Sequence, residues 1–74
     1  MLKKKFTKKD EQFGRRLKKL RNNAELTQED LADKTGLSVT FIGLLETAQR
    51  RASMKSLQKI ASALGVKAKD LIPF

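Results

Sequence analysis

The side chains best equipped for chemistry in this sequence are cations. Lys3, Lys4, Lys5, Lys8, Lys9, Arg15, Arg16, Lys18, Lys19 and Arg21 crowd residues 1–21, opposed there only by Asp10 and Glu11, and the 74-residue chain carries a net charge of +9. A second basic cluster, Arg50-Arg51, sits in the stretch ETAQRRAS. Positive charge of this density is the electrostatic footprint of nucleic-acid binding, although a membrane surface or an acidic protein would attract it too. Covalent and metal chemistry are poorly provided for. With no Cys and no His, the chain has no thiolate, no imidazole base and none of the usual zinc ligands. So short a chain makes one small domain that buries only about 60% of its unfolded surface, too little for a deep catalytic cleft. No enzyme, cofactor, metal or small-molecule ligand is therefore expected. Nothing beyond the short run Phe41–Leu45 approaches a signal-peptide core, still less the roughly 18 apolar residues of a membrane span. A soluble, cytoplasmic protein with no membrane contact is the expectation.

Five helical signals position these groups, and no strand alternation competes with them. Thr7 with Asp10 three residues on resembles a capping box, and Phe13, Leu17, Leu20 and Ala24 then recur at helical spacing, which predicts an amphipathic helix over about 8–22. Thr27 can cap a second helix, with Glu29 and Asp30 in its first turn, where the helix dipole favours carboxylates, and Gly36 at its end. Ser38 can cap a third helix reaching about Glu46 or Thr47. Ser53 can cap a fourth, whose Leu57, Ile60, Ala61 and Leu64 line one face before Gly65 stops it. A last turn, Ala68 to Leu71, precedes Ile72-Pro73-Phe74. The second and third helices are each too short to stand alone in water, so they must brace each other as a helix-turn-helix. Ala32 supplies the small residue at their approach, Gly36 the left-handed turn, and Leu31, Leu37, Ile42 and Leu45 the apolar seam. The domain is expected to span residues 9–74, behind a flexible basic arm over 1–8.

The pieces FGRRLKKLR, LTQEDLADKTGLS, FIGLLE and SLQKIASALGV, in this order and spacing, resemble the lambda-repressor-like, Cro-type (XRE) helix-turn-helix family from Phe13 to Leu71. The resemblance implies an all-α, compact five-helix domain in which helix 3 enters the major groove of double-stranded DNA and helix 2 crosses the backbone above it. Some short members of the family are restriction–modification controller proteins, and others are phage repressors or antitoxins. On this pattern the base-contacting positions are Val39, Thr40, Gly43 and Leu44. Gln28 and the loop residues Thr47, Gln49, Arg50 and Arg51 fall where the family contacts phosphates, and Arg21 and Glu46 match a pair that joins helix 1 to the end of helix 3.

Helix 3 departs from the common family pattern, because only Thr40 among its base-reading positions can hydrogen-bond a base edge. Val39, Leu44 and the Thr40 methyl are instead suited to thymine C5-methyl groups. The uncharged helix would then read bases by apolar and hydroxyl contact while cations elsewhere hold the phosphates. Arg15, Arg16, Lys18 and Lys19 read as a solvated helix face, and the Lys-rich arm as either a groove or backbone contact or a solubilising tail. Two functions follow: a sequence-specific transcriptional regulator that binds operator DNA as a homodimer, or an antitoxin-like or adaptor module that mainly binds a protein partner. For the homodimer, Leu71, Ile72 and Phe74 are the expected interface, since so short a terminal helix has little domain surface against which to bury all three.

Overall fold

The computed structural model describes residues 7–72, and they form five helices: α1 (Lys8–Asn23), α2 (Gln28–Thr35), α3 (Val39–Glu46), α4 (Met54–Leu64) and α5 (Ala68–Leu71). The first four starts are each set by a local side-chain hydrogen bond. Thr7 Oγ1 accepts from the Asp10 amide while Asp10 Oδ2 accepts from the Thr7 amide, and Thr27 with Asp30 repeats the exchange at α2. Each such cap satisfies N–H groups that a helix start leaves without partners. Ser38 and Ser53 cap α3 and α4 in the simpler form, each hydroxyl accepting one amide. Thr7 is the cap and Lys8 the first residue of α1, as the Thr7–Asp10 spacing predicted, so the helix start overlaps the arm expected over 1–8. The rest of that arm, with Pro73 and Phe74, lies outside the described residues.

Four of the five helices end in left-handed backbone, and only two of those four residues are glycine. Gly36 (φ 75°) and Gly65 (φ 72°) close α2 and α4. After α1 and α3 the same conformation falls to Glu25 (φ 59°) and Ala48 (φ 61°). In both places the next amide reaches back to close the helix: Leu26 N–H to Arg21 O at 3.1 Å, and Gln49 N–H to Leu44 O at 2.8 Å. These are Schellman closures, whose hydrogen bonds hold a residue that would otherwise avoid this backbone region. Ala48 has the further support of a buried methyl.

One core joins the helices. Leu17 of α1, Leu31 and Ala32 of α2, Ile42 and Leu45 of α3, Leu57, Ile60 and Ala61 of α4, and Leu71 of α5 are all buried in it. α3 packs on α1 and α2, α4 on α2 and α5, and α1 meets α5, so each short helix has at least two partners or a strong one. The α2–α3 turn is fastened from inside by Thr35, whose buried hydroxyl donates to Leu31 O at 2.7 Å and accepts from the Leu37 amide at 3.2 Å. Gly14 lets α1 lie directly on the end of α3: a Cβ there would stand 2.6 Å from Glu46 O and 2.7 Å from Leu45 O.

Two sequence expectations need correction. Ala24 is not on the apolar stripe of α1; it is the exposed C-cap residue, because the helix ends before the next turn brings it round. Leu71 is not an exposed dimer residue. It is 0% exposed and completes the core, because α1 and α4 converge on α5 and close over it. Ile72 is only half-buried. Arg16 helps to hold this corner, its Nε donating to Asp70 O at 2.8 Å.

Candidate nucleic-acid interface

α3 has two unlike sides. Ile42, Leu45 and Glu46 face inward and are buried, whereas Val39 is 40% exposed, Thr40 is exposed, and Gly43 and Leu44 are half-buried. Three- and four-residue spacing puts the outward four together on one face, continued at the helix end by exposed Thr47. The face carries no charge, and Thr40 holds its one side-chain hydrogen-bonding group before Thr47 is reached.

An ion pair holds this helix in place from behind. Glu46 Oε2 accepts from Arg21 Nε at 2.6 Å and Glu46 Oε1 from Arg21 Nη2 at 3.1 Å, a two-pronged contact with both side chains over 90% buried. Arg21 Nη1 also donates to Leu26 O at 2.8 Å, so one guanidinium links α1, the α1–α2 turn and α3. The Glu46 carboxylate raises the already high pKa of Arg21 further, against the opposing effect of burial. Glu46 has a third donor in Gln28 of α2, whose Nε2 lies 3.0 Å from Oε1. Among the described residues no buried side-chain polar atom is left without a partner, so the network is fully satisfied, the condition under which buried charge rigidifies a fold.

The loop after α3 distributes its polar groups unevenly. Thr47 Oγ1 donates to Gly43 O at 3.0 Å and accepts from Gln49 Nε2 at 3.1 Å, which ties both residues to the helix end. Arg50 is exposed, its guanidinium carbon 5.6 Å from the centroid of the Phe41 ring, a cation–π distance. Arg51 has a different partner. Its Nε and Nη2 each lie 3.1 Å from an Asp10 carboxylate oxygen, so the residue is braced against the start of α1. Arg51, followed by the Thr7 amide, lowers the pKa of Asp10, and the Thr27 amide and hydroxyl do the same for Asp30.

The structure therefore gathers Gln28, Val39, Thr40, Gly43, Leu44 and Thr47 on and around one helix face, with Gln49 and Arg50 beside it, and engages Arg51 elsewhere. Sequence reasoning missed Asp10 as the partner of Arg51 and Phe41 as the platform of Arg50. A separation of 41 residues left no local signal for the first, while the second required knowing that the chain reverses at Ala48.

Comparison with known proteins gives a consistent picture. Residues 17–71 match the family model HTH_3, described as Helix-turn-helix. The chain is 36% identical over 63 residues to the control protein C.BamHI of Bacillus amyloliquefaciens, covering 84% of this chain and 78% of that protein. It is 37% identical over 60 residues to the control protein C.MunI of a Mycoplasma species, covering 80% of this chain and 81% of the other. Among solved structures, the restriction-modification controller protein C.AhdI of Aeromonas hydrophila superposes with a TM-score of 0.86 at 35% identity, over 88% of this chain and 98% of that one.

Proposed function

The chain belongs to the HTH_3 helix-turn-helix family and is a DNA-binding transcriptional regulator, and we propose that it reads operator DNA as a homodimer through the outward face of α3. The observation that carries this reading is the pairing of a rigidly mounted, uncharged helix face with a cation at its end. Val39, Thr40 and Leu44 offer apolar and hydroxyl contact suited to thymine methyl groups, around a gap at Gly43. Thr47, Gln49 and Arg50 border that face where phosphates flank a helix seated in the major groove. Arg51 enters as a brace that positions the loop and adds to the local positive potential, its reach to phosphate limited by its fork on Asp10. The likeness to controller proteins supports a role in the control of transcription.

The homodimer is proposed because one domain of this size contacts too few base pairs to select a genomic site, and two recognition helices about 34 Å apart remedy that. With Leu71 enclosed in the core, a surface that a twin could use is the groove lined by half-buried Ile72, Phe13, Ala52 and Leu57 together with Asp10, Arg50 and Arg51. Sedimentation at micromolar concentration tests this: Ile72→Glu is expected to turn a dimer into a folded monomer, and a wild type that is monomeric both free and on DNA would refute it.

Selection of bound sequences from a random duplex pool, at stated salt, tests the reading as a whole. A two-fold symmetric motif is the expected result. Arg50→Ala should then weaken binding to all duplexes alike and reduce the salt slope by about one unit, as loss of one phosphate contact requires. Absence of any motif, with stoichiometric recovery of an acidic protein instead, would replace this reading with that of a protein-binding module.

A further inference from the structure

The exposed side of α1 carries cations that the sequence reads as a solvated helix face, and the packing of the helix gives that side a direction. Gly14 and Arg21 point at α3: a Cβ on Gly14 would stand 2.6 Å from Glu46 O, and Arg21 forks onto the Glu46 carboxylate. Leu17 points into the core, with Phe13 and Leu20 packed against it. At about 100° per residue, Lys18, Asn22 and Arg15 follow roughly 40°, 80° and 100° round the helix from Gly14, on the side away from Leu17. All three are exposed.

Ile42 and Leu45 of α3 are buried in the same core as Leu17. The outward face of α3 and the Arg15–Lys18 side of α1 therefore turn away from one interior, and they meet at the end of α3. Arg15 marks the junction, lining one surface hollow with Thr47, Ala48, Glu46 and Glu11 and another with Lys18, Lys19, Asn22 and Asn23. Glu46 is already engaged by Arg21 and Gln28, which leaves the cations Arg15, Lys18 and Lys19 opposed by Glu11 alone in these two hollows. The side chains of Arg15 and Lys18 form no hydrogen bond or ion pair among the described residues, so taking up an anion breaks no existing contact.

We propose that Arg15 and Lys18 form a second backbone clamp, meeting DNA phosphates beside the Thr47 end of α3 when that helix is seated in the major groove. Arg50 borders α1 on its other side, in a groove shared with Phe13, which lies about 200° from Arg15 round the helix. The end of α3 is thus flanked by cations on two sides. A guanidinium meets a phosphate through a fork of N–H donors and an ammonium meets it as a point charge, and both contacts add affinity and fix register without reading sequence. The inference rests on α3 facing DNA and extends that interface onto α1.

The test measures affinity against salt concentration on the duplex that the wild type selects from the random pool. Arg15→Ala, Lys18→Ala and Arg15→Lys are compared with Lys59→Ala, each variant first shown to unfold cooperatively in urea. Lys59 is the control for bulk charge: it lies on α4, in a hollow with Lys34 and Thr35 at the end of α2 far from Gln28. Arg15→Ala and Lys18→Ala should each lower the salt slope by about one unit and the affinity by about 8-fold at about 0.1 M salt, with the selected motif unchanged. Arg15→Lys and Lys59→Ala should keep the wild-type slope. Methylphosphonates placed one at a time through both strands should reveal a phosphate whose neutralisation weakens the wild type and leaves Arg15→Ala indifferent. An unchanged slope in either alanine variant strikes that residue from the clamp. An unchanged slope in both, or an equal fall in Lys59→Ala, overturns the proposal while a selected motif keeps the reading of α3 in place. If the wild type selects no motif at all, the reading of α3 as a DNA-facing helix falls, and this proposal with it.

Discussion

Replacing Gly14 by alanine should damage the fold far more than the loss of two hydrogens suggests. The new Cβ would stand 2.6 Å from Glu46 O, 2.7 Å from Leu45 O and 2.9 Å from Glu46 C, all backbone atoms that cannot rotate away. Ordinary contact begins near 3.4 Å, so α1 and α3 must separate by about 0.8 Å. Overpacking of a well-filled core costs about 1–3 kcal/mol, and a clash with backbone belongs at the upper end. Alanine's better helix propensity returns about 1 kcal/mol. The net loss is then about 2 kcal/mol, from a domain whose size implies a total stability of about 4–11 kcal/mol. That corresponds to a fall in Tm of about 8–16 °C for a chain of this length. Thermal unfolding followed by far-ultraviolet circular dichroism measures it, with Gly43→Ala as the internal control. At Gly43 the added methyl meets only the Gln28 side chain at 3.7 Å, so the same exchange should be neutral or raise Tm, by up to about 1 kcal/mol of helix propensity. A Gly14→Ala protein as stable as the wild type would refute the close approach of α1 to α3, and with it the account of how α3 is held.

Glu46→Ala leaves a buried guanidinium with only part of its hydrogen bonding and should cost about 3–5 kcal/mol in urea unfolding; a loss below 1 kcal/mol would show that the ion pair is dispensable. Glu25→Gly relieves a left-handed, exposed residue and should raise stability by about 0.5–1 kcal/mol, whereas a decrease would mean that the Glu25 side chain makes a contact worth more than the strain. Asp10 and Asp30 have folded pKa values below their unfolded ones, so the stability they contribute is present above the unfolded carboxylate range and is lost as pH falls through the folded values. With no His in the chain, the urea midpoint should be flat from about pH 5 to 8 and decline below about pH 4. Asp10→Asn combined with Asp30→Asn should make that decline shallower; an equally steep decline would assign it to other carboxylates.

What the sequence by itself determined is whatever depends on residues three or four positions apart. The pairs Thr7–Asp10 and Thr27–Asp30, the caps Ser38 and Ser53, the stops at Gly36 and Gly65, and the apolar faces of α2, α3 and α4 are local, so their spacing along the chain already contains their geometry. The positions on α3 expected to contact bases came from the family resemblance, and the exposure of Val39 and Thr40 agrees with them. Ala24 and Leu71 were misjudged because their burial is decided by where a helix stops and what converges on it, which periodicity does not contain. Only the tertiary structure could choose among chemically equivalent side chains. Arg50 and Arg51 are adjacent and identical in type, yet one lies over Phe41 and the other forks onto Asp10, partners that only the packing of α1 and α3 brings beside the loop. Gln28 could have been any first-turn glutamine; the packing of α2 on α3 gave it Glu46 as a partner. A long-range contact depends on where two separate helices carry their side chains in space, and that position is a property of the assembled core, not of either segment alone.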